Sequence, residues 1–368
     1  MRGLYVHIPF CIKKCSYCDF YSLPARLESL ESYVRAVVHE SYSNAGLSFQ
    51  TLYLGGGTPS LLGAKNLKNL IDGIGEYLGI SSLVEATVEV NPESATREFL
   101  ETAKDAGINR VSFGVQSLFD NELKSVGRIH SAFQAIEAIK LAEKLDFKVI
   151  AADLIVGLPG QTWATLCKSL ETLVGLGIEH LSVYCLSLEE GTRLAECPPD
   201  DLMPDDMQAA LFEKTLAFLG DRGFIHYEIS NFALEGYECL HNLNYWRGGE
   251  YLGLGTSAAS HLHGKRFKNY ADLDAYLENP TGQMEYVEEL NIKDKAAEEA
   301  MLRLRLLVEG IEPGELTTRF GHDNVRTLIS KLDGMVGAGQ LIFEKSRYRL
   351  PPTRILTSNP IFAKILCT

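Results

Sequence analysis

The sequence predicts an α/β protein, in which a partial barrel of six β/α units is followed by a smaller C-terminal helical, winged-helix-like domain. Three observations predict this fold. Short runs of β-branched and aromatic residues recur roughly 25 to 50 residues apart, amphipathic stretches lie between them, and each run leads into a polar or glycine-rich segment. This spacing leaves room for a helix after each strand, so we expect a parallel sheet covered by helices.

Six apolar runs are the predicted strands. In chain order they are LYVHIP from Leu4, TLYLGG from Thr51, VEATVEV from Val84, RVSFGV from Arg110, KVIAADLIVG from Lys148 and HLSVYCLSL from His180. Between them, stretches such as KNLKNLIDGIGEYL and FQAIEAIKLAEKL repeat apolar residues every three or four positions, which is typical of amphipathic helices.

The segments that follow the strands favour a barrel over an open sheet. They are HIPFC, GGGTPS, EVNPES, GVQS, GLPGQ and SLEEGT. In β/α barrels the loops at the C-terminal ends of the strands build the active site, so these six segments should converge on one mouth. The alternative is that their glycines and prolines merely punctuate turns.

The pattern changes after about residue 200, so three parts are expected: a barrel at 1–200, a barrel extension at 201–290 and a C-terminal domain at 291–368. In the last part, an apolar stripe from Ala297 to Val308 predicts a helix that Gly310 closes, and a second helix is expected from Asn324 to Val336. LIFEKSRYRL then resembles a hairpin. Six basic and five acidic residues between Ile311 and Leu350 favour a packing role over DNA binding.

Composition narrows the classes of partner and compartment. With 48 acidic and 35 basic residues the formal net charge is −13, so nucleic acid is not an expected partner. No apolar run reaches the roughly 18 residues of a membrane span, and the N-terminus lacks the apolar core of a signal peptide. We therefore expect a cytoplasmic protein without a transmembrane segment. In a reducing compartment, clustered cysteines indicate metal binding or catalysis more often than disulfides.

Three of the eight cysteines lie close together at the end of the first predicted strand, in CIKKCSYC: Cys11, Cys15 and Cys18. Thiolates are soft ligands that suit iron–sulfur clusters or zinc. A zinc site would need a fourth ligand, which His7 or Asp19 could supply, so zinc stays open on spacing alone. A cubane cluster usually takes four cysteines, so three would leave one iron open.

The spacing CxxxCxxC, with Tyr17 before the last cysteine, resembles the signature of radical-SAM enzymes. The resemblance implies a [4Fe–4S] cluster held by the three cysteines, with S-adenosylmethionine (SAM) on the open iron, and therefore a partial (β/α)6 radical-SAM barrel. GGGTPS at residues 55 to 60 adds to it, because glycines let backbone N–H groups approach a cofactor closely.

Further motifs narrow the resemblance. LYVHIPFC, GGGTPS, EVNP, GVQS, GRIHS, DLIVGLPGQT, YEISNFA and HNLNYW run nearly end to end and resemble the family of oxygen-independent coproporphyrinogen III oxidases (HemN) and the heme chaperones (HemW). The resemblance implies a cofactor pocket lined by Tyr5, Tyr17, Gly56, Gly57, Thr58, Glu89, Gln116, Arg128 and Asp153. Carboxylates can accept from ribose hydroxyls or an ammonium group, and Arg128 can hold a carboxylate.

Two features favour the chaperones over the oxidases. The oxidases carry a further cysteine where this chain has Phe20, and an extension ahead of the first strand, whereas this chain begins four residues before Tyr5. HNLNYW matches the HNxxYW motif of the chaperones, whose histidine is implicated in heme binding. His241 is therefore the candidate heme ligand, since neutral imidazole suits heme iron. The nearby Arg247, Lys265, Arg266 and Lys268 could meet heme propionates.

We therefore expect a heme chaperone that delivers heme to an unidentified acceptor protein, with no catalytic residue assigned. The alternative is an oxidase-like enzyme that decarboxylates a porphyrinogen after cleavage of SAM, and it would need an electron donor such as a flavodoxin or ferredoxin. Dinucleotide binding at GLGTSA is a third, disfavoured alternative. Asp272 follows Gly253 by 19 residues, but the flanking segments do not predict the strand and the helix that this site requires.

Overall fold

The computed structural model describes residues 1–25, 27–282 and 284–366. The strands are β1 (Arg2–Ile8), β2 (Phe10–Cys11), β3 (Leu23–Pro24), β4 (Thr51–Gly56), β5 (Glu85–Val90), β6 (Arg110–Gln116), β7 (Val149–Val156), β8 (His180–Cys185), β9 (Ile225–Glu228), β10 (Asn231–Ala233), β11 (Glu250–Leu254), β12 (Ala259–Leu262), β13 (Lys265–Asn269), β14 (Met284–Glu288), β15 (Ile342–Glu344) and β16 (Arg347–Arg349).

The helices are α1 (Leu27–Tyr42), α2 (Gly63–Tyr77), α3 (Arg97–Asp105), α4 (Asp120–Ser125), α5 (Ala132–Lys144), α6 (Trp163–Gly175), α7 (Arg193–Glu196), α8 (Asp205–Gly220), α9 (Leu240–Trp246), α10 (Leu273–Glu278), α11 (Ile292–Arg303), α12 (Pro313–Phe320), α13 (His322–Gly337) and α14 (Asn359–Leu366). Within the part of the chain that the structure describes, none of them combines the length and the apolar character that crossing a membrane requires.

One large sheet organises the molecule, with strand order β14-β13-β12-β11-β1-β4-β5-β6-β7-β8-β10-β9. The six predicted strands are β1, β4, β5, β6, β7 and β8, and they lie side by side in parallel. At least one helix lies between each of these six strands and the next of the six. Since both faces of such a sheet are covered, its strands are apolar almost throughout, as in β7. The α/β prediction with a partial barrel is confirmed.

A further parallel strand was not predicted. β11 pairs in parallel with β1, where Leu4 lies opposite Leu252, and it extends the sheet beyond the six strands. Glycines at positions 248, 249, 253 and 255 weaken its strand signal in the sequence. At Gly253 a Cβ would lie 2.2 Å from the carbonyl oxygen of Ala259, so close pairing with β12 requires glycine there.

The strand β11 does not open a dinucleotide site. It is followed by the antiparallel strands β12 and β13, not by a helix. Asp272 caps α10, since its carboxylate accepts from the backbone N–H of Ala275 at 3.0 Å. The structural context that a dinucleotide fingerprint needs is therefore not built at this segment.

The C-terminal helices and hairpin match the winged-helix-like prediction: α11, α12 and α13 precede the antiparallel pair β15 and β16. One boundary differs, because the helix expected to continue to Gly310 ends at Arg303. There the chain turns to pair with β9, and the N–H of Leu307 donates to the carbonyl of Tyr227 at 3.0 Å. The strand partner supplies the hydrogen bond that another helical turn would have made.

Candidate functional site

A cavity of about 330 Å³ lies at the C-terminal ends of the parallel strands, and we call it the cysteine cavity. Thirteen residues were expected to bind the cluster, SAM or heme iron, and eleven of them line this cavity: Cys11, Cys15, Tyr17, Cys18, Gly56, Gly57, Thr58, Glu89, Gln116, Arg128 and Asp153. Five of the six strand-end segments therefore converge on one mouth as expected, whereas GLPGQ contributes no lining residue and β7 reaches the cavity through Asp153 and Ile155. Tyr5 and His241 lie elsewhere.

The three cysteines share one side of this cavity. They belong to the loop after β1, which is tied down where the N–H of Ser16 donates to the carbonyl of Val126 at 3.1 Å. Burial raises the pKa of the Cys11 and Cys18 thiols. Among the described residues, no three His, Cys, Asp or Glu side chains converge closely enough to hold a single metal ion. The cysteines line a space instead of meeting at a point.

A chain of polar contacts joins two of the sulfurs. The hydroxyl of Thr58 donates to Cys11 Sγ at 3.5 Å, and Arg128 Nη1 donates to Cys15 Sγ at 3.6 Å. Asn91 bridges these two donors, because its Nδ2 donates to Thr58 Oγ1 at 2.9 Å and its Oδ1 accepts from Arg128 Nη2 at 2.9 Å. Donors directed at sulfur stabilise thiolate ligands and tune an iron–sulfur centre.

Asn91 is a site residue that the sequence reasoning missed. It follows Val90 directly at the end of β5, inside the motif EVNP that also contains Glu89. Its place in this motif is the sequence feature that indicates a role at the site. Tyr184 and Cys185, at the end of β8, also line the cavity and were not singled out. Their position just before SLEEGT was the available signal.

Two partly buried acids, Glu89 and Asp153, also line the cavity. The hydroxyl of Tyr53 donates to Glu89 Oε1 at 2.7 Å, and the N–H of Gly56 donates to Oε2 at 3.2 Å. Burial raises the pKa of Glu89 to about 7 and that of Asp153 to about 6. Carboxyl groups with raised pKa values in a cleft are typical of functional sites, and a cationic ligand would favour their ionised forms.

The glycines of GGGTPS serve packing as well as the cavity. A Cβ at Gly57 would lie 2.8 Å from the carbonyl oxygen of Ile8 and 2.7 Å from that of Phe10, and one at Gly56 would lie 2.5 Å from the His7 ring. Gly56 also has φ 109°, in the region that favours glycine. Their missing side chains make room for the base of the cysteine loop, and the expected close approach of their backbone to a cofactor stays a prediction.

Gln116 has the backbone strain that often marks functional positions. Its φ is 64°, in the left-handed region that non-glycine residues seldom adopt, and it ends β6 at a register shift against β7. Gln116 lines the cysteine cavity. Backbone outliers of this kind concentrate at functional sites in proteins.

A second cavity of about 440 Å³ lies beside the first, and Phe20 lines both. We call it the aromatic cavity, because its walls include Tyr5, Phe20, Tyr21, Tyr245, Trp246 and Tyr251. Tyr5 was expected in the cofactor pocket with the cysteines, and it lies here instead. Residues two apart on a strand share a face, so Tyr5 turns with His7 toward this cavity, and its hydroxyl shares a hydrogen bond of 2.9 Å with His7 Nδ1.

His241 is buried, with 1% of its surface exposed. Its Nδ1 shares a hydrogen bond of 2.8 Å with Thr51 Oγ1, and its Nε2 shares one of 2.8 Å with the Tyr245 hydroxyl. The ring stacks on Tyr53 with centroids 5.2 Å apart, and burial lowers its pKa to about 3. The imidazole is therefore neutral, but both nitrogens are engaged. Heme ligation by His241 stays a prediction that requires one of these hydrogen bonds to open.

The four basic residues near the motif all have acidic partners. Arg247 pairs with Glu309, Lys265 with Glu289, Arg266 with Glu298 and Lys268 with Glu285. Of the four, only Arg266 lines the aromatic cavity. Of the four residues expected to meet heme propionates, Arg266 is thus the one placed at this cavity.

Comparison with known proteins identifies the relatives. The family model of the radical SAM superfamily matches residues 5–173. The heme chaperone HemW of Lactococcus lactis subsp. lactis is 36% identical over 99% of this chain and 97% of its own length. The heme chaperone HemW of Bacillus subtilis is 33% identical over 100% of this chain and 99% of its own, and that of Escherichia coli is 37% identical over 83% and 82%.

The fold also has a counterpart among solved structures. Coproporphyrinogen III oxidase (HemN) from Escherichia coli superposes with a TM-score of 0.85, covering 100% of this chain and 90% of that one, at 21% sequence identity. At this identity the structural similarity shows the fold alone, and the more similar HemW sequences show the family. The resemblance stated from the motifs is thus confirmed, and the chain belongs to the HemW family of heme chaperones within the radical SAM superfamily.

Proposed function

We propose that this chain binds heme and transfers it to an acceptor protein in the cytoplasm, and that it carries a [4Fe–4S] cluster and SAM in the cysteine cavity. The observation that carries the proposal is the similarity to HemW heme chaperones along the whole chain, at 36% identity to the Lactococcus protein.

The cysteine cavity fits the cluster and SAM on its own chemistry. Cys11, Cys15 and Cys18 would hold the cluster, and the donors from Thr58 and Arg128 would stabilise the sulfurs of Cys11 and Cys15. A cubane held by three thiolates supplies an iron site for a small ligand and a centre that can accept an electron.

The other cavity residues would position SAM. Glu89 and Asp153 would face its ammonium group or ribose hydroxyls, and Arg128 would face its carboxylate, in agreement with their charges. Gly56, Gly57 and Gln116 would shape the backbone around it. Tyr17 packs against a small apolar cluster that includes Val126 and Ile155, and so fixes the loop between Cys15 and Cys18.

Cluster loading is the first test. Protein purified and reconstituted without oxygen should contain about four iron and four sulfide ions per chain, by analogy with cubane clusters. Cys15→Ala should lose the cluster, because two thiolates and an open corner hold iron poorly, whereas Cys197→Ala should keep it, because Cys197 is exposed and does not line the cavity. Zinc in place of iron would contradict the cluster proposal.

Heme transfer is the second test. Heme titration of the reconstituted protein should show saturable binding by absorbance, and a heme-free acceptor added afterwards should gain the heme. Anaerobic incubation with coproporphyrinogen, SAM and a reduced flavodoxin or ferredoxin distinguishes the chaperone from the oxidase-like enzyme. Formation of protoporphyrinogen would establish the oxidase-like enzyme. Release of 5′-deoxyadenosine in the same mixture would show that SAM is cleaved and that the chain needs an electron donor.

A further inference from the structure

His261 is a second histidine at the aromatic cavity, and one of its ring nitrogens has no hydrogen-bond partner among the described residues. It lies on β12, where it pairs with Tyr251 of β11 and Arg266 of β13, and it lines the cavity. Its Nδ1 lies 3.2 Å from the backbone carbonyl oxygen of Gly249. A carbonyl only accepts, so Nδ1 must carry the proton, and in the neutral ring the lone pair is then on Nε2.

This arrangement is the one that metal-binding histidines use. A histidine that ligates a metal through one nitrogen usually donates the other N–H to a carboxylate or a backbone carbonyl, which fixes the tautomer and the ring orientation. Burial lowers the pKa of His261, so the ring is neutral near physiological pH. His241, by contrast, has hydrogen bonds at both nitrogens.

The walls of the aromatic cavity suit a large flat ligand. Cofactor sites are mostly apolar clefts of roughly 300 to 1,000 Å³ with a few polar groups, and this cavity of about 440 Å³ has aromatic walls from Tyr245, Trp246 and Tyr251. Aromatic rings pack well against another planar π-system. A porphyrin offers such a surface.

Two donors at the same cavity lack an acceptor. Trp246 Nε1 and Arg266 Nε are buried and make no hydrogen bond within the described residues, although both side chains line the cavity. Buried donors are almost always paired in folded proteins, so these two nitrogens need an acceptor. Both are enclosed by protein, and Arg266 pairs with Glu298 through Nη1, so the acceptor oxygens of a ligand would reach them only after the two side chains turn toward the cavity. Carboxylates are acceptors of this kind, and an arginine favours them through its charge.

We propose that the aromatic cavity is the heme site of this chain, with His261 Nε2 as an iron ligand and with Arg266 and Trp246 as donors to a propionate. This inference rests on the proposed function and makes it specific, because it names the cavity and the ligand. It differs from the expectation from the motif, which assigned the ligand role to His241.

The test compares three histidine variants in the reconstituted full chain, titrated with ferric heme. His261→Ala should weaken heme affinity at least about tenfold and change the spin state seen by absorbance and electron paramagnetic resonance. Added imidazole should restore the wild-type spectrum of His261→Ala, because it can replace the missing ligand in the cavity. His263→Ala is the matched control, since its exposed side chain lies in the turn just after β12, and it should behave as the wild type does. Iron and sulfide content checks that each variant is folded.

The outcomes separate this inference from the function on which it rests. Unchanged affinity and spectrum in His261→Ala, with loss in His241→Ala, would overturn the assignment while the chaperone proposal stands. A wild-type chain that binds no heme would overturn both. Ligand rescue of His261→Ala by imidazole, with the wild-type spectrum retained in His241→Ala, would support the assignment.

A second comparison tests the propionate contact. The wild type should bind heme roughly ten- to a hundredfold more tightly than heme dimethyl ester, which lacks the carboxylates, and Arg266→Leu should lose most of that preference. Lys265→Leu is the matched control, because Lys265 is a neighbouring cation that pairs with Glu289 and does not line the cavity. An equal preference in wild type and Arg266→Leu would remove Arg266 from the site.

Discussion

Glu89 has the environment of a ligand-binding acid. It is partly buried near the end of β5 and receives hydrogen bonds from Tyr53 and Gly56, and desolvation of its carboxyl group raises its pKa to about 7. If it holds a cationic group of SAM, it must be ionised to do so. Binding of SAM should therefore strengthen as pH rises through about 7 and level off above it, and weaken as pH falls below it.

The test is the ratio of SAM affinities in wild type and Glu89→Gln, measured by anaerobic equilibrium dialysis of cluster-loaded protein. The ratio removes the titration of SAM itself and of Asp153 to first order. It should rise close to tenfold per pH unit below about 7 and become flat above it, because only the wild type has this ionisation. Exposed Glu196→Gln should follow the wild type. A ratio that stays constant with pH would contradict the role given to Glu89.

At the scale of single residues, the sequence predicts most of the positions that line the cysteine cavity. It does not predict that Tyr5 and His241 lie outside this cavity. Glu89 and Asp153 are acids at the ends of apolar strands, which is a local signal, and both line the cavity. The hydrogen bond of His241 joins it to Thr51, 190 residues away. No local pattern indicates that partner, so the burial of His241 could not be predicted.

At the scale of elements, the short helix α9 depends on one carboxylate from another strand. Glu85, the first residue of β5, accepts from the backbone N–H groups of Leu240 at 2.9 Å and His241 at 2.8 Å. These are N–H groups that a helix leaves without partners in its first turn, and both lie in the interior. The carboxylate therefore anchors the helix that carries HNLNYW to the sheet.

Glu85→Ala should lower the free energy of unfolding by roughly 2 to 4 kcal/mol, because two buried N–H groups lose their acceptor. Urea denaturation followed by circular dichroism measures the change. Glu101→Ala, which breaks only an exposed pair with Arg97, should cost about 0.5 kcal/mol or less. Equal effects of the two substitutions would show that α9 is not anchored by Glu85.

The elements differ in how far the sequence predicts them. The six strands of the barrel are continuous runs of β-branched and apolar residues, and each was predicted. β11 carries glycines where it meets β12, and its strand character comes from pairing with β1. The end of α11 is likewise set by pairing with Tyr227 and not by its own sequence.

At the scale of the whole molecule, the core crosses the boundaries proposed at residues 200 and 290. One hydrophobic cluster runs from Leu4 of β1 to Ile365 of α14. Arg305 stacks over Trp246, with its guanidinium 4.5 Å from the ring centre, and so joins the C-terminal segment to α9. The division into 1–200, 201–290 and 291–368 remains a proposal about topology, and the shared core predicts that the parts unfold together.

The two tryptophans allow this to be measured. Trp163 lies on α6 against Phe218, within the barrel, and Trp246 lies at the contact with the C-terminal segment. Trp246→Phe and Trp163→Phe each leave one fluorescent reporter. Urea transitions of the heme-free protein followed by each reporter, relative to circular dichroism of the same variant, should coincide. An earlier transition at Trp246 would establish the C-terminal segment as an independently unfolding domain.

Tyr53 stands between the two cavities, with its hydroxyl on Glu89 and its ring against His241, which in turn meets Tyr245. If a nucleoside bound at Glu89 shifted the Tyr53 ring, His241 and Tyr245 would carry that shift to the wall of the aromatic cavity. Any such coupling would act by an equal factor in both directions, as thermodynamic linkage demands. A chaperone with this coupling would release its porphyrin more or less readily depending on whether the nucleoside is bound.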